Sequence, residues 1–170
     1  MALSNITFES HAGKQVAIDA DAPTAIVAAM AAHKRVANVV KFGCWALRNI
    51  AGSPAGQQAA VDAGAPAVIV AAMAAHKDVA VVAENGCWAL LNITCSSAGQ
   101  QAAVDAGAPA AIVAAMAAHK DVAAVALHGS RALSNISVLI PAGKQAVNDA
   151  KTLEAQPEML RATVPDLSMD

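Results

Sequence analysis

The 170-residue chain is 56% hydrophobic but contains only two Trp, two Phe and no Tyr. Its abundant Ala is the strongest helix former and suits closely packed short helices, whereas a sheet would favour β-branched and aromatic residues. The net charge of -2 and the lack of a clustered basic stretch argue against a DNA or RNA partner.

The apolar segments are too short for a membrane protein. The Ala-rich run at 63–75 falls short of the roughly 20 apolar residues that a span needs, and the N-terminus lacks the pattern of a signal peptide. Cys44, Cys87 and Cys95 are an odd number with no disulfide framework. Because Cys44 and Cys87 share one repeat position, we predict that they are small buried packing residues. An intracellular protein, cytoplasmic or nuclear and without a membrane partner, is expected.

The chain repeats itself with a period of 43 residues, since Trp45 returns at Trp88 and Asn49 returns at Asn92 and Asn135. A period of about 40 to 47 residues carried by helices is typical of stacked helical units, each of which contacts only its neighbours. We therefore expect one domain over 1–170. Its parts are a partial unit (1–11), three full units (12–54, 55–97 and 98–141) and a partial C-terminal unit or cap (142–170).

Each unit is predicted to contain three helices, which are clearest in the second unit. Residues 57–63 form a short first helix that ends at a left-handed Gly64. Residues 67–75 form an apolar second helix, and Asp78 is the expected N-cap of the third. In the first unit Asp21 stands in place of Gly64, so weaker capping is expected there.

The third helix of the second unit has two distinct faces. At about 100° per residue, Leu90 and Ile93 align with Gly86 in a core stripe, whereas Trp88 and Asn92 lie on the opposite side, one turn apart. Two interpretations are open. Asn amides can bond an extended backbone while Trp faces hold aliphatic stems or cations; alternatively, the Trp fills a gap between units and the Asn caps a neighbouring helix.

The strings GCWALRNIAGS at 43–53 and GCWALLNITCS at 86–96 resemble the third helix of armadillo repeats of the importin-alpha and beta-catenin type. The resemblance covers residues 12–141. It implies an all-α fold, a right-handed α-solenoid with three helices per unit, in which third helices line a concave groove. In that groove a ladder of Trp and Asn holds an extended peptide. The residues that match this ladder are Trp45, Asn49, Trp88, Asn92 and Asn135.

Several charged residues depart from the family pattern on the groove side. Arg131 stands at the third Trp position, and Lys41 and Glu84 share one repeat position with opposite charges. A nuclear-import receptor would be expected to have an acidic groove for basic cargo. We therefore predict a general peptide- or protein-docking scaffold, in which Arg48, Glu84 and Arg131 modulate the choice of ligand.

Patterns that carry catalysis or bind metals are not found in the sequence. His33, His76 and His119 recur once per unit, so neighbours are expected about 8–10 Å apart, which is too far to share a metal ion. Asp62 and Asp105 likewise recur singly, without a second carboxylate. No phosphate-binding loop, nucleophile elbow or Cys/His cluster appears. Neither an enzyme nor a cofactor or metal site is expected.

A structural or self-associating module is the alternative function. The first seven residues are similar to the tail of a third helix, and we expect a first helix at 144–149 and a short second helix at 158–162. Each end lacks what the other supplies, so a head-to-tail interface would build rings or filaments unless residues 151–170 seal the C-terminal end. The sequence also suits a fragment of a larger signalling protein or a designed, duplicated repeat protein.

Overall fold

The computed structural model describes residues 11–139, with side chains described over 12–137. This part of the chain contains nine helices and no strand, which confirms the all-α fold class. The helices are α1 (His11–Asp19), α2 (Ala22–Ala32), α3 (Ala37–Ile50), α4 (Pro54–Asp62), α5 (Ala65–Ala75), α6 (Ala80–Ile93), α7 (Ser97–Asp105), α8 (Ala108–Ala118) and α9 (Ala123–Leu139). The partial units expected at the chain ends, apart from His11, lie outside the described residues, and self-association through them stays a prediction.

The helices follow the period of the sequence. Helices α2, α5 and α8 begin at Ala22, Ala65 and Ala108, and the most extensive contacts between units join third helices. In particular, α3 packs along α6 and α6 along α9, so that the third helices form one continuous row. Residues at equivalent positions of α3, α6 and α9 are therefore neighbours across the row.

The core stripe predicted for the third helix is confirmed. Val82, Leu90 and Ile93 are fully buried in α6, and Gly86 is buried beside them. Cys87 is also fully buried, as is Cys44 at the equivalent position of α3, and burial raises the pKa of both thiols to about 12. Both cysteines are therefore protonated packing residues, as the repeat position predicted.

A left-handed residue closes the corner between the first and second helices of every unit. Gly64 and Gly107 adopt φ of +74° and +73°, which confirms the predicted left-handed stop. Asp21 holds the same corner in the first unit at φ +52°. Because a side chain in this region costs roughly 1 kcal/mol, the first corner is the least favourable of the three.

The prediction that Asp78 caps α6 is wrong. The N-cap is Val79, and no side chain bonds to the first turn. A tight turn, closed by a hydrogen bond from the Val79 N–H to the His76 carbonyl oxygen at 2.9 Å, places the start of the helix one residue later. Val79 also packs against the core, so burial of an apolar side chain decides this boundary rather than capping.

The repeated histidines join consecutive units. His76 Nε2 lies 2.8 Å from the carbonyl oxygen of Lys34, and His119 Nε2 lies 2.8 Å from that of Lys77. Because a carbonyl oxygen only accepts hydrogen bonds, Nε2 is the protonated nitrogen in both rings. Across residues 11–139, no group of three His, Cys, Asp or Glu side chains is arranged to hold a metal ion.

None of the described helices is long and apolar enough to cross a bilayer by itself. The pairs α4 with α5 and α7 with α8 reach that length and composition only together, and they are bent by 73° and 75°.

Candidate functional site

The predicted site residues meet on one surface of the row of third helices, which we call the third-helix face. Its central contact is a stack in which the Trp88 ring lies between Arg48 of α3 and His128 of α9. The face is formed by Trp45, Arg48, Asn49, Glu84, Trp88, Asn92, His128, Arg131 and Asn135.

Two Asn residues of the face, Asn92 and Asn135, cap the preceding third helix. Asn92 Nδ2 donates to the Arg48 carbonyl oxygen at 2.8 Å, and Asn135 Nδ2 donates to the Leu91 carbonyl oxygen at 3.3 Å. Both carbonyls belong to the last turn of a helix, where the intrahelical partners have run out. The capping role expected as the alternative for the Asn residues is therefore present.

Capping leaves part of each amide group unused. An Asn side chain offers two N–H donors and one oxygen with two lone pairs. Across the described residues the Oδ1 atoms of Asn92 and Asn135 accept no hydrogen bond. The Asn92 Nδ2 retains a second hydrogen, whereas the Asn135 Nδ2 also donates to Thr94 Oγ1 at 3.4 Å and Cys95 Sγ at 3.8 Å. Because Nδ2 must face the carbonyl, the orientation of each amide is fixed and its oxygen is directed away from the preceding helix.

Both faces of the Trp88 ring are covered by the chain itself. Arg48 Cζ lies 3.9 Å from the ring centroid, and the His128 ring is stacked at 4.2 Å with an interplanar angle of 27°. Two groups cannot lie about 4 Å above the same face, so they lie on opposite faces. The open shelf for a ligand side chain that the Trp was expected to provide is occupied at this position.

The Arg48 guanidinium is held in place by two further contacts. Its Nη1 donates to Asn85 Oδ1 at 3.3 Å, and its Nε lies 3.4 Å from Asn49 Oδ1. Asn85 is itself fixed, because its Nδ2 donates to the Val81 carbonyl oxygen at 2.9 Å. Partial burial lowers the pKa of Arg48, and the nearby Glu84 carboxylate opposes this shift. Since the ordinary Arg pKa exceeds 12, the group stays charged.

Trp45 forms the end of the face towards the first unit. Its ring lies 6.1 Å from Phe42 and 5.9 Å from Arg48 Cζ, while Lys41 Nζ lies 4.3 Å above the Phe42 ring. The Trp45 Nε1–H is buried and has no hydrogen-bond partner among the described residues. Trp45 therefore contributes apolar and cation–π contacts rather than a paired polar group.

The chain has no match among protein-family models, and no curated protein matches it at a significant level.

His128 is a residue of the face that sequence reasoning missed. It shares its repeat position with Phe42 and Asn85, three residues before the Trp position. Residues three apart on a helix are neighbours, so this spacing was the available signal. Burial lowers the pKa of His128, the Glu84 carboxylate raises it, and the Arg48 and Arg131 cations lower it further, with a net decrease from 6.5.

The predicted modulating residues lie where their charges act on this stack. Glu84 interacts electrostatically with both Arg48 and His128, and Arg131 interacts with His128. Arg131 is exposed, whereas Glu84 is half-buried. The structure thus brings Arg48, Glu84 and Arg131 together around Trp88 and His128.

Replacing His128 with Phe, the residue at the equivalent position 42, is expected to reduce the loss of stability in acid. Because the folded state lowers the pKa of His128, the unfolded chain binds the proton more readily. The stability gained from the neutral ring is present above about pH 6.5, the ordinary pKa of His, and is lost as the pH falls below it through the lower pKa of the folded state. Urea unfolding at about pH 7.5 and about pH 5.5 measures the effect. An equal loss in the wild type and the His128→Phe variant would contradict it.

Proposed function

We propose that the chain is an armadillo-type right-handed α-solenoid that binds an extended peptide along its third-helix face, without a catalytic step. The proposed partner is a segment of another protein, and the proposed site of action is inside the cell. No cofactor, nucleic acid or membrane takes part.

The solenoid part of the proposal is supported by contacts that recur at the period of the sequence. His76 and His119 each bond to a carbonyl oxygen at the equivalent position of the preceding unit. Asn92 and Asn135 likewise each bond to a carbonyl oxygen at the equivalent position of the preceding third helix. Identical contacts between successive units are what a stack of repeats requires.

The unused edge of the Asn92 amide is the observation that carries the binding proposal. A residue in an extended chain presents its own N–H and C=O on the same side, and the free Oδ1 and the second Nδ2 hydrogen can bond this pair together. Asn135 offers its Oδ1 acceptor one unit further along, while its Nδ2 is directed at Leu91, Thr94 and Cys95. An extended chain advances about 6.6 Å per two residues, so a peptide crossing helices about 8–10 Å apart can meet successive amides.

The covered Trp88 ring gives the face its rigidity. Since Arg48 and His128 occupy its two faces, a ligand contacts the ring edge and the guanidinium rather than stacking on the indole. Loss of side-chain conformational entropy on binding normally weakens affinity, and groups that are already fixed lose little of it. The proposed ligand is therefore held mainly through its backbone.

Selection of random peptides of about 12 residues against the immobilised protein tests the proposal. Enriched peptides are expected to bind a variant carrying Asn92→Ala and Asn135→Ala about tenfold or more weakly, because each lost hydrogen bond is worth about 1 kcal/mol. The matched control carries Gln58→Ala and Gln101→Ala, which remove exposed side chains of α4 and α7 that bond only to Asp62 and Asp105.

Circular dichroism melting establishes that both variants are folded at the binding temperature, which matters because the Asn residues also act as caps. No enrichment over a blank surface, or equal weakening in the two variants, would reject the proposal.

A further inference from the structure

We infer that the third-helix face selects acidic peptides, whose carboxylates bind Arg48 and Arg131. This inference rests on the proposed peptide-binding function and adds the chemistry of the partner.

The third helices carry a net positive charge although the chain as a whole is acidic. The chain contains 11 Lys and Arg against 13 Asp and Glu. Over their described length, α3, α6 and α9 carry Lys41, Arg48 and Arg131 but only one carboxylate, that of Glu84. A surface opposite in sign to the rest of the molecule attracts ligands of complementary charge and rejects those of like charge.

These cations keep their charges among the residues that the structure describes. Across the described residues, Lys41, Arg48 and Arg131 form no ion pair. Glu84 acts on Arg48 at longer range, and Asn85 and Asn49 supply neutral oxygens to the guanidinium. Neutral acceptors hold the Arg48 side chain without cancelling its charge.

Arg48 is prepared for a carboxylate by its own contacts. Its planar group lies 3.9 Å above Trp88, and its Nη1 and Nε are directed at Asn oxygens by bonds of 3.3 and 3.4 Å. The guanidinium carries five N–H groups, so Nη2 and the second Nη1 hydrogen remain for a ligand. An Arg fixed by an aromatic ring presents its edge for charge-assisted bonds with little further loss of side-chain entropy.

Arg131 supplies the second anchor. It is exposed on α9, at the repeat position that Trp45 and Trp88 hold in the other units. Although α3 and α9 are two helices apart, Arg48 reaches over the Trp88 ring, and both Arg48 and Arg131 act on His128. The two guanidinium groups are therefore closer together than the roughly 16–20 Å between those helix axes. An extended peptide advances about 13 Å in four residues, and side chains four apart lie on the same side of it.

The peptide selection described above also tests this inference. Peptides enriched on the wild-type protein are expected to be richer in Asp and Glu than the starting library, with acidic pairs about four residues apart. A labelled peptide with two Glu at that spacing is then compared with its Gln and Lys analogues by fluorescence anisotropy. We expect the Glu peptide to bind at least tenfold more tightly than the Gln peptide at low salt, and the Lys peptide to bind least.

Arg131→Gln and Lys120→Gln form the matched pair of variants, since both change an exposed cation by one charge. Arg131→Gln is expected to weaken binding of the Glu peptide about fivefold, whereas Lys120→Gln leaves it unchanged. Equal weakening by the two variants would show that net charge alone attracts the peptide, and would overturn the inference.

The outcomes also separate this inference from the proposed function. Enriched peptides that depend on Asn92 and Asn135 but show no acidic bias, or a basic one, would overturn the acidic preference and leave peptide binding intact. Failure to enrich any peptide would overturn both.

Discussion

Replacing Gly99 with Ala is expected to destabilise the protein by about 3 kcal/mol. Gly99 lies in the first turn of α7, where its N–H donates to the N-cap oxygen Ser96 Oγ at 3.1 Å. A Cβ at this position would overlap the carbonyl oxygen of Ile93, at the end of α6. The clashing atom is a backbone oxygen of a fully buried residue, so rotation of a side chain cannot relieve the overlap. Helix α7 would therefore have to move away from α6.

Gly107→Ala is the matched comparison. Gly107 is constrained by its backbone conformation, whereas Gly99 is constrained by a close contact with a neighbouring helix. Gly107 is left-handed at φ +73°, and an added Cβ there would meet nothing within 4 Å. The expected cost is roughly 1 kcal/mol, that of a side chain in the left-handed region. Urea unfolding of both variants measures the difference. A Gly99→Ala variant no less stable than Gly107→Ala would contradict the close approach of α7 to α6.

Replacing Trp88 with Ala is expected to cost about 3 kcal/mol, which is near the lower end for a large aromatic residue because the ring is only half-buried. The change removes the contact with Arg48 at 3.9 Å and the stack with His128 at 4.2 Å. It also uncovers the core against which the ring packs. Trp45→Ala is expected to cost less, since Arg48 lies 5.9 Å from that ring.

A double-mutant cycle separates the Arg48 contact from the rest of the Trp88 effect. Trp88→Ala, Arg48→Met and the double variant are compared by urea unfolding, and the coupling free energy is expected to be about 1 kcal/mol. A coupling near zero would show that the guanidinium does not stabilise the folded state through the ring.

The period of the sequence predicted much of the fold. Sequence patterns within a single unit predicted that the helices exist. The same patterns predicted the buried stripe of Leu90 and Ile93 and the left-handed conformation of Gly64. The start of α6 was missed because burial of Val79 and a tight turn outweigh the capping preference of Asp78. A boundary of this kind depends on tertiary packing, which no local pattern contains.

The third-helix face was predicted only in part for the same reason. Trp88 and Asn92 were placed on one side of a helix correctly, but the covering of the Trp ring depends on two other units. Arg48 lies three residues after the first Trp position, and His128 lies three residues before the third. Their meeting on Trp88 depends on the offset between neighbouring helices, and a helical wheel for a single unit does not include that offset.

The two indole N–H signals provide the most direct test of the central claim, because Trp45 and Trp88 are the only Trp residues in the chain and both belong to the third helices. The measurement is a nitrogen–proton correlation spectrum recorded while a peptide enriched in the selection is titrated into the labelled protein. We predict that the Trp88 indole signal and the Asn92 and Asn135 side-chain amide signals shift together and saturate. Saturable shifts confined to α1, α4 and α7, with these signals unmoved, would contradict binding at the third-helix face.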